Sequence, residues 1–183
     1  MTYSIGFRAP NHQELAEQFL VYKQDRVSLN GMYADPGLKV QKHPSEISPD
    51  MLHQVEKIVQ QVQWGKRDIA DFLGCYLSEP KSHIFFEPPA RPYSRMRFEQ
   101  AAKTRGLALV LQSQMLCHNS TVFINGTAHT VGKDSYRTLR SLADERQIVP
   151  APELTPETLA LLYQWYTDGY IMLVSNSRKP LTS

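Results

Sequence analysis

The stretch TVFINGTAHTV at 121–131 does most to limit the folds open to this chain. Asn and Gly accept the positive φ angles of a two-residue type I′ turn, and Asn125-Gly126 stands between two runs that alternate apolar and polar residues. A hairpin is predicted there. Around it the periodicity changes. A helix is expected at about 94–104, followed by the strand-like LALVLQ before the hairpin. After it, a helix at about 134–146 carries Tyr136, Leu139, Leu142 and Ala143 on one side. Thr155 then offers an N-cap, Pro156 suits the first turn, and Leu154 can staple to Leu159. That helix should stop at Gly169, and YIMLVS reads as a short buried strand. Helix, strand, hairpin, helix, helix and strand within about 90 residues is the order of a small winged-helix-like module.

The run EPPARPY, residues 87–93, holds three prolines and no apolar period, and is read as a linker. What precedes it is helical. Pro10-Asn11 opens a pattern with Leu15, Phe19 and Tyr22 on one face and Ala16 and Leu20 beside it. Residues 28–47 read as a long connection. Ser48 then caps a helix through Val55, Ile58, Val59 and Val62, with Pro49 in its first turn and Ile47 placed to staple on Leu52. A further helix at about 66–78 places Ile69, Phe72, Leu73 and Tyr76 at helical spacing and ends before Pro80. Three helices with such apolar stripes bury little alone, so a second copy of the chain is the expected partner. At the amino end, Tyr3, Ile5 and Phe7 alternate with Ser4, Gly6 and Arg8, as in a strand with two different faces. No hairpin mate follows it, so its sheet is expected to precede Met1.

Composition narrows the function. A 42% hydrophobic, 21% charged chain is an ordinary globular protein, and a net charge of +2 is too mild to demand nucleic acid. Cys75 and Cys117 form neither a disulfide framework nor a zinc motif, which fits a reducing cytoplasm. No apolar run approaches membrane-spanning length. The Asn119-Ser120-Thr121 sequon has no meaning in a cytoplasmic chain. His12-Gln13-Glu14 has His-x-acid spacing but opens a helix rather than lying on a strand, and His43, His53, His83, His118 and His129 lack ligand spacing, so no metal site is assigned. No catalytic residue is assigned either, since phosphate-loop and nucleophile-elbow motifs are missing. Arg91, Arg95, Arg97, Lys103 and Arg105, against Glu99, form a possible interaction patch for phosphates or an acidic protein. A solvated helix face is the plainer reading of that cluster. Trp64, Tyr163, Trp165, Tyr166 and Tyr170 are expected to pack in the core or an interface.

Five segments in order, YSIGFRAP at 3–10, YADPGLKVQKHP at 33–44 continuing into ISPD, FLGCYLSEPK at 72–81, VFINGTAHTV at 122–131 and DGYI at 168–171, resemble the bacterial ribosomal oxygenases. These are JmjC-type cupin hydroxylases of a ribosomal-protein arginine. The resemblance implies an α+β chain, mostly α with small β. Residues 1–9 would be the residual last strand of the barrel, 10–86 a helical dimerisation region, 87–93 a linker and 94–183 the winged-helix-like domain. It also implies that the Fe(II) and 2-oxoglutarate of the complete enzyme are held by a barrel outside this chain, which would bind neither alone. Ser4 would border the 2-oxoglutarate pocket. Expected partners are a second copy through 10–86 and a ribosomal-protein substrate for a dimerisation and substrate-docking portion, with a winged-helix nucleic-acid-binding or protein-interaction module as the alternative.

Overall fold

Residues 10–34 and 43–174 are described by the structure, a computed structural model. The expected strand in 1–9, with Ser4, lies outside the described residues, as does most of the YADPGLKVQKHP segment. The chain divides into two units, Met1–Phe72 and Leu73–Ser183.

In the first unit, α1 (His12–Gln24) starts where Asn11 Oδ1 accepts the Glu14 N–H at 2.8 Å. Likewise α2 (Pro49–Val59) starts at Ser48, whose Oγ accepts the Met51 N–H at 3.1 Å. Both caps satisfy amides that a first helical turn leaves open. The start of α3 (Lys66–Ser78) is held by Asp68, which accepts the Gly65 N–H at 2.9 Å and the Lys23 ammonium at 2.8 Å. The Lys23 bond, then the Gly65 bond, draws the Asp68 carboxyl below its usual range. Phe19 meets Trp64 and Phe72 edge-on at 5.7 and 5.4 Å, and Tyr22 meets Phe72 at 5.6 Å. Phe72 is buried, whereas α1 and α2 contain no buried residue. Ile47 and Leu52, the expected staple, are both mostly exposed.

In the second unit, α4 (Arg95–Arg105) leads into β1 (Leu107–Leu109), then β2 (Met115–His118), β3 (Thr121–Ile124) and β4 (Thr127–Thr130). Next come α5 (Lys133–Glu145), β5 (Gln147–Ile148), α6 (Pro156–Thr167) and β6 (Ile171–Leu173). One antiparallel sheet has the order β5-β1-β6, and the other is a β2-β3-β4 meander. Asn125 and Gly126 take φ of 48° and 86°, the angles of the expected type I′ turn. The hairpin is nevertheless two strands of three, because MLCH pairs with TVFI, Met115 opposite Ile124. Nor is YIMLVS a wholly buried strand. Ile171 is 2% exposed and Met172 50%, since β6 lies at a sheet edge with one face outward.

Between the sheets and helices lie Phe98, Leu107, Ile124, Leu139, Leu142, Leu162 and Trp165, all buried. α6 begins as expected, with Thr155 Oγ1 accepting the Thr158 N–H at 3.1 Å. The residues after Phe85 run along this unit. Phe86 packs edge-on to Tyr170 at 4.7 Å, the Tyr93 N–H donates to the Tyr166 hydroxyl at 3.3 Å, and the Tyr163 hydroxyl donates to the Tyr93 carbonyl at 3.0 Å. α5 ends at Arg146, a non-glycine residue at φ 58°. Its guanidinium donates to the carbonyls of Val110, Ser113 and Leu111 at 2.9, 3.0 and 3.3 Å.

Candidate functional site

The five basic residues have different surroundings. Arg105 Nε donates to the Val174 carbonyl at 2.9 Å, fastening the chain beyond β6 to α4. Lys103 pairs with Glu99 at 2.9 Å, one helical turn away, and that carboxylate raises the Lys103 ammonium's pKa. Arg97 stacks over the Tyr93 ring at 4.5 Å. Arg95 reaches the Pro156 carbonyl at 3.4 Å, and Arg91 is exposed. The first turn of α4 therefore carries two arginines and no acid, where a helix dipole favours anions. On the outer face of α5, Lys133, Arg137 and Arg140 are matched by Asp134, Asp144 and Glu145. Arg137 lies 3.5 Å from Asp134 and Arg140 3.5 Å from Asp144. A phosphate-tracking surface needs a net excess of cations, which α5 lacks.

Beside that face an open cleft of about 650 Å³ separates α5 from the turn before α6. Its floor is Ile148 and Leu154, with Asp134, Arg137 and Glu153 at the rim. The N-terminal ends of α5 and α6 are joined by Glu157. Its Oε2 accepts the Ser135 hydroxyl at 2.5 Å and the Gly132 N–H at 3.1 Å, and these two bonds hold the carboxyl below its ordinary value. The role is structural, since both donors belong to a helix start.

The aromatic residues mostly pack, as expected. Trp165 and Tyr166 are buried, Tyr163 and Tyr170 line the core, and Trp64 is half exposed on Phe19. Burial holds the His129 imidazole below its usual value, edge-on to Trp165 at 5.5 Å. Burial also pushes the Cys117 thiol up to about 11, so it is no ready thiolate nucleophile. Among the described residues no three His, Cys, Asp or Glu side chains converge as a metal-ligand set. No helix in the described residues is long and apolar enough to cross a membrane.

One feature had no sequence signal singled out for it. Ser78, fully buried on α3, accepts the Gly126 N–H at 3.0 Å, and its hydroxyl donates to the Gly74 carbonyl at 2.7 Å. Gly74 itself backs onto the Phe123 ring, where a Cβ would lie 2.5 Å from three ring atoms. A glycine and a serine four residues apart at a helix end were the only trace. The apolar spacing of α2 was read from the sequence, and there Met51, Leu52, Val55, Ile58 and Val59 are each between 38% and 64% exposed.

Comparison with known proteins was made against this geometry. Residues 56–172 match the family model described as ROXA-like winged helix. The ribosomal protein uL16 3-hydroxylase of Escherichia coli K12 is 27% identical over 103 residues, which are 56% of this chain and 28% of that protein. The crystal structure of E. coli YcfD superposes with a TM-score of 0.69 at 22% identity, covering 92% of this chain and 46% of that one. YcfD described as a ribosomal oxygenase in complex with cobalt and 2-oxoglutarate superposes at 0.69 and 22% identity, covering 93% and 48%. The chain thus spans about half the length of these solved relatives. At that identity the superpositions establish the fold: helices with two small antiparallel sheets, α+β, with a winged-helix domain.

Proposed function

Because the chain belongs to the ROXA-like winged-helix family, we propose that it is the carboxyl-terminal dimerisation and substrate-docking portion of a ribosomal-protein (arginine) hydroxylase dependent on 2-oxoglutarate and Fe(II). The uL16 hydroxylase homology supports the substrate class, and the cobalt and 2-oxoglutarate complexes of YcfD support the cosubstrate. In this reading the iron ligands, a His-x-Asp pair and a later His in the family, lie in a barrel outside the residues described, and no catalytic step runs through those residues. The proposed division keeps residues 1–9 as a barrel strand with Ser4 at the pocket edge, 10–86 for dimerisation, 87–93 as a connection and 94–183 as the winged helix. A cytoplasmic location follows from a ribosomal-protein substrate.

The observation that carries the dimerisation half is α2. Five large apolar side chains at helical spacing stay open to solvent in one copy of the chain, and a second copy presenting the same helix would cover them. Sedimentation velocity is the test. Wild type should sediment as a dimer at micromolar concentration, and Leu52→Asp with Val59→Asp as a monomer of unchanged helicity. A strictly monomeric wild type ends this reading. The docking half predicts that the dimer binds purified large-subunit ribosomal protein, measured by calorimetry, and no heat at any ratio removes it.

One observation favours nucleic acid as the second reading: Arg91, Arg95 and Arg97 gather at an α4 start without a compensating acid. Binding of duplex DNA or RNA that weakens steeply with salt, and is lost in an Arg95→Ala, Arg97→Ala variant, would support it. No binding at low salt eliminates it.

A further inference from the structure

The second unit holds two asparagines in two-residue turns, and the fold treats them oppositely. Asparagine loses ammonia when the backbone nitrogen of the next residue attacks its side-chain carbonyl carbon. The step is fastest before glycine and next readiest before small polar residues such as serine, because little shields the attacking nitrogen. On sequence alone Asn125-Gly126 should react first and Asn119-Ser120 second.

We infer that the fold reverses this order and makes Asn119 the deamidation site of the native chain. At Asn125 both reacting groups are engaged. The attacking nitrogen, that of Gly126, donates to the buried Ser78 Oγ at 3.0 Å. The Asn125 Oδ1 accepts the Gln114 N–H at 2.9 Å, and its Nδ2 donates to Ser113 Oγ at 3.3 Å. The Asn125 N–H also donates to the Gln114 carbonyl at 3.0 Å. Forming the five-membered ring at Asn125 consumes the Gly126 N–H and expels Nδ2, so it breaks the bonds to the buried Ser78 and Ser113.

Asn119 sits at φ 52° in the β2–β3 turn, and it and Ser120 are exposed. Among the described residues no hydrogen bond holds the Ser120 N–H. Among the described residues the Asn119 side chain hydrogen-bonds to the His118 imidazole, Nδ2 to Nε2 at 2.9 Å. The Ser120 nitrogen forms a bond to Asn119 Cγ and gives its proton to solvent base, while the Cγ–Nδ2 bond breaks. The imidazole stands at the leaving nitrogen, Nε2 to Nδ2, and water supplies the proton that departs with ammonia. Water then opens the succinimide to aspartate or isoaspartate. The product places a negative charge in the turn, and the isoaspartate adds a backbone methylene between β2 and β3.

The test follows the whole chain in mildly alkaline buffer over weeks. Cleavage after Phe123 separates the two asparagines, so mass spectrometry reads each site as a gain of one mass unit. The folded chain should convert at Asn119 several-fold faster than at Asn125, and the urea-unfolded chain should show the opposite order. Asn125 leading in the folded chain, or the same order in both states, overturns the inference. Ser78→Ala should accelerate Asn125 several-fold and leave Asn119 unchanged. Ser113→Ala, which frees the Asn125 amide without touching α3, should do the same where Ser78→Ala fails to fold.

Discussion

Gly74→Ala sets two known effects against each other. In a helix interior the change from glycine gains about 1 kcal/mol from propensity. At α3 the new Cβ would stand 2.5 Å from Cδ1, Cδ2 and Cε1 of Phe123, where carbon atoms rest at about 3.5–4.0 Å. The ring would have to retreat by about 1 Å. It has nowhere to go, because Phe123 is 1% exposed on the central strand of the meander, with Val122 and Ile124 fully buried on either side of it in sequence. Overpacking of this kind costs about 1–3 kcal/mol, so the net change is a loss of about 1 kcal/mol. A chain of this size loses about 2–4 °C in Tm per kcal/mol. Thermal unfolding by circular dichroism reads the shift, and Phe123→Leu in the same chain should recover part of it through the coupling of neighbouring sites. A rise in Tm for Gly74→Ala, or strict additivity with Phe123→Leu, would refute the packing argument.

Ser78→Ala leaves the Gly126 N–H without its partner and should cost about 1–3 kcal/mol, seen as a lower urea midpoint and faster hydrogen exchange at Gly126. Arg146→Gly suits the φ of 58° but discards the three carbonyl bonds. It should lose about 1–3 kcal/mol yet melt above Arg146→Ala, and an Ala variant melting higher would contradict this. Burial lowers the His129 pKa from 6.5, so its contribution is intact above that value. As pH falls below it, the unfolded chain takes up the proton first and stability declines, a limb that His129→Gln should flatten in urea titrations. Glu157 is lowered from 4.5 by the Ser135 hydroxyl and the Gly132 N–H. Its contribution is present above that value and lost as pH drops below it, so Glu157→Gln should be less stable near neutrality and less sensitive to acid.

Where a local residue decides local geometry, the sequence was readable. Ser48 and Thr155 each accept an amide of the turn they precede, and Asn125-Gly126 makes its turn. Those interactions span a few residues. β2 escaped because MLCH alternates poorly and its strand character comes from pairing with β3, and β5 because two residues carry no period. The basic cluster looked like a unit in the linear chain. In space Lys103 turns to Glu99 and Arg105 to Val174, partners that only tertiary structure supplies for Arg105. Ser78 and Gly74 were silent for the same reason, since each gains its meaning from the hairpin some 48 residues on in the case of Ser78 and Gly126.

The carbonyls of Val110, Leu111 and Ser113 on the connection between β1 and β2 converge on one guanidinium nitrogen, an arrangement that elsewhere gathers a metal cation. Here the cation is a side chain 36 residues downstream of Val110. The connection therefore owes nothing to ion supply and cannot be emptied by a chelator. Its geometry also rests on the last turn of α5, which delivers Arg146, so a change that frays that turn takes away the donor on which the preceding connection depends.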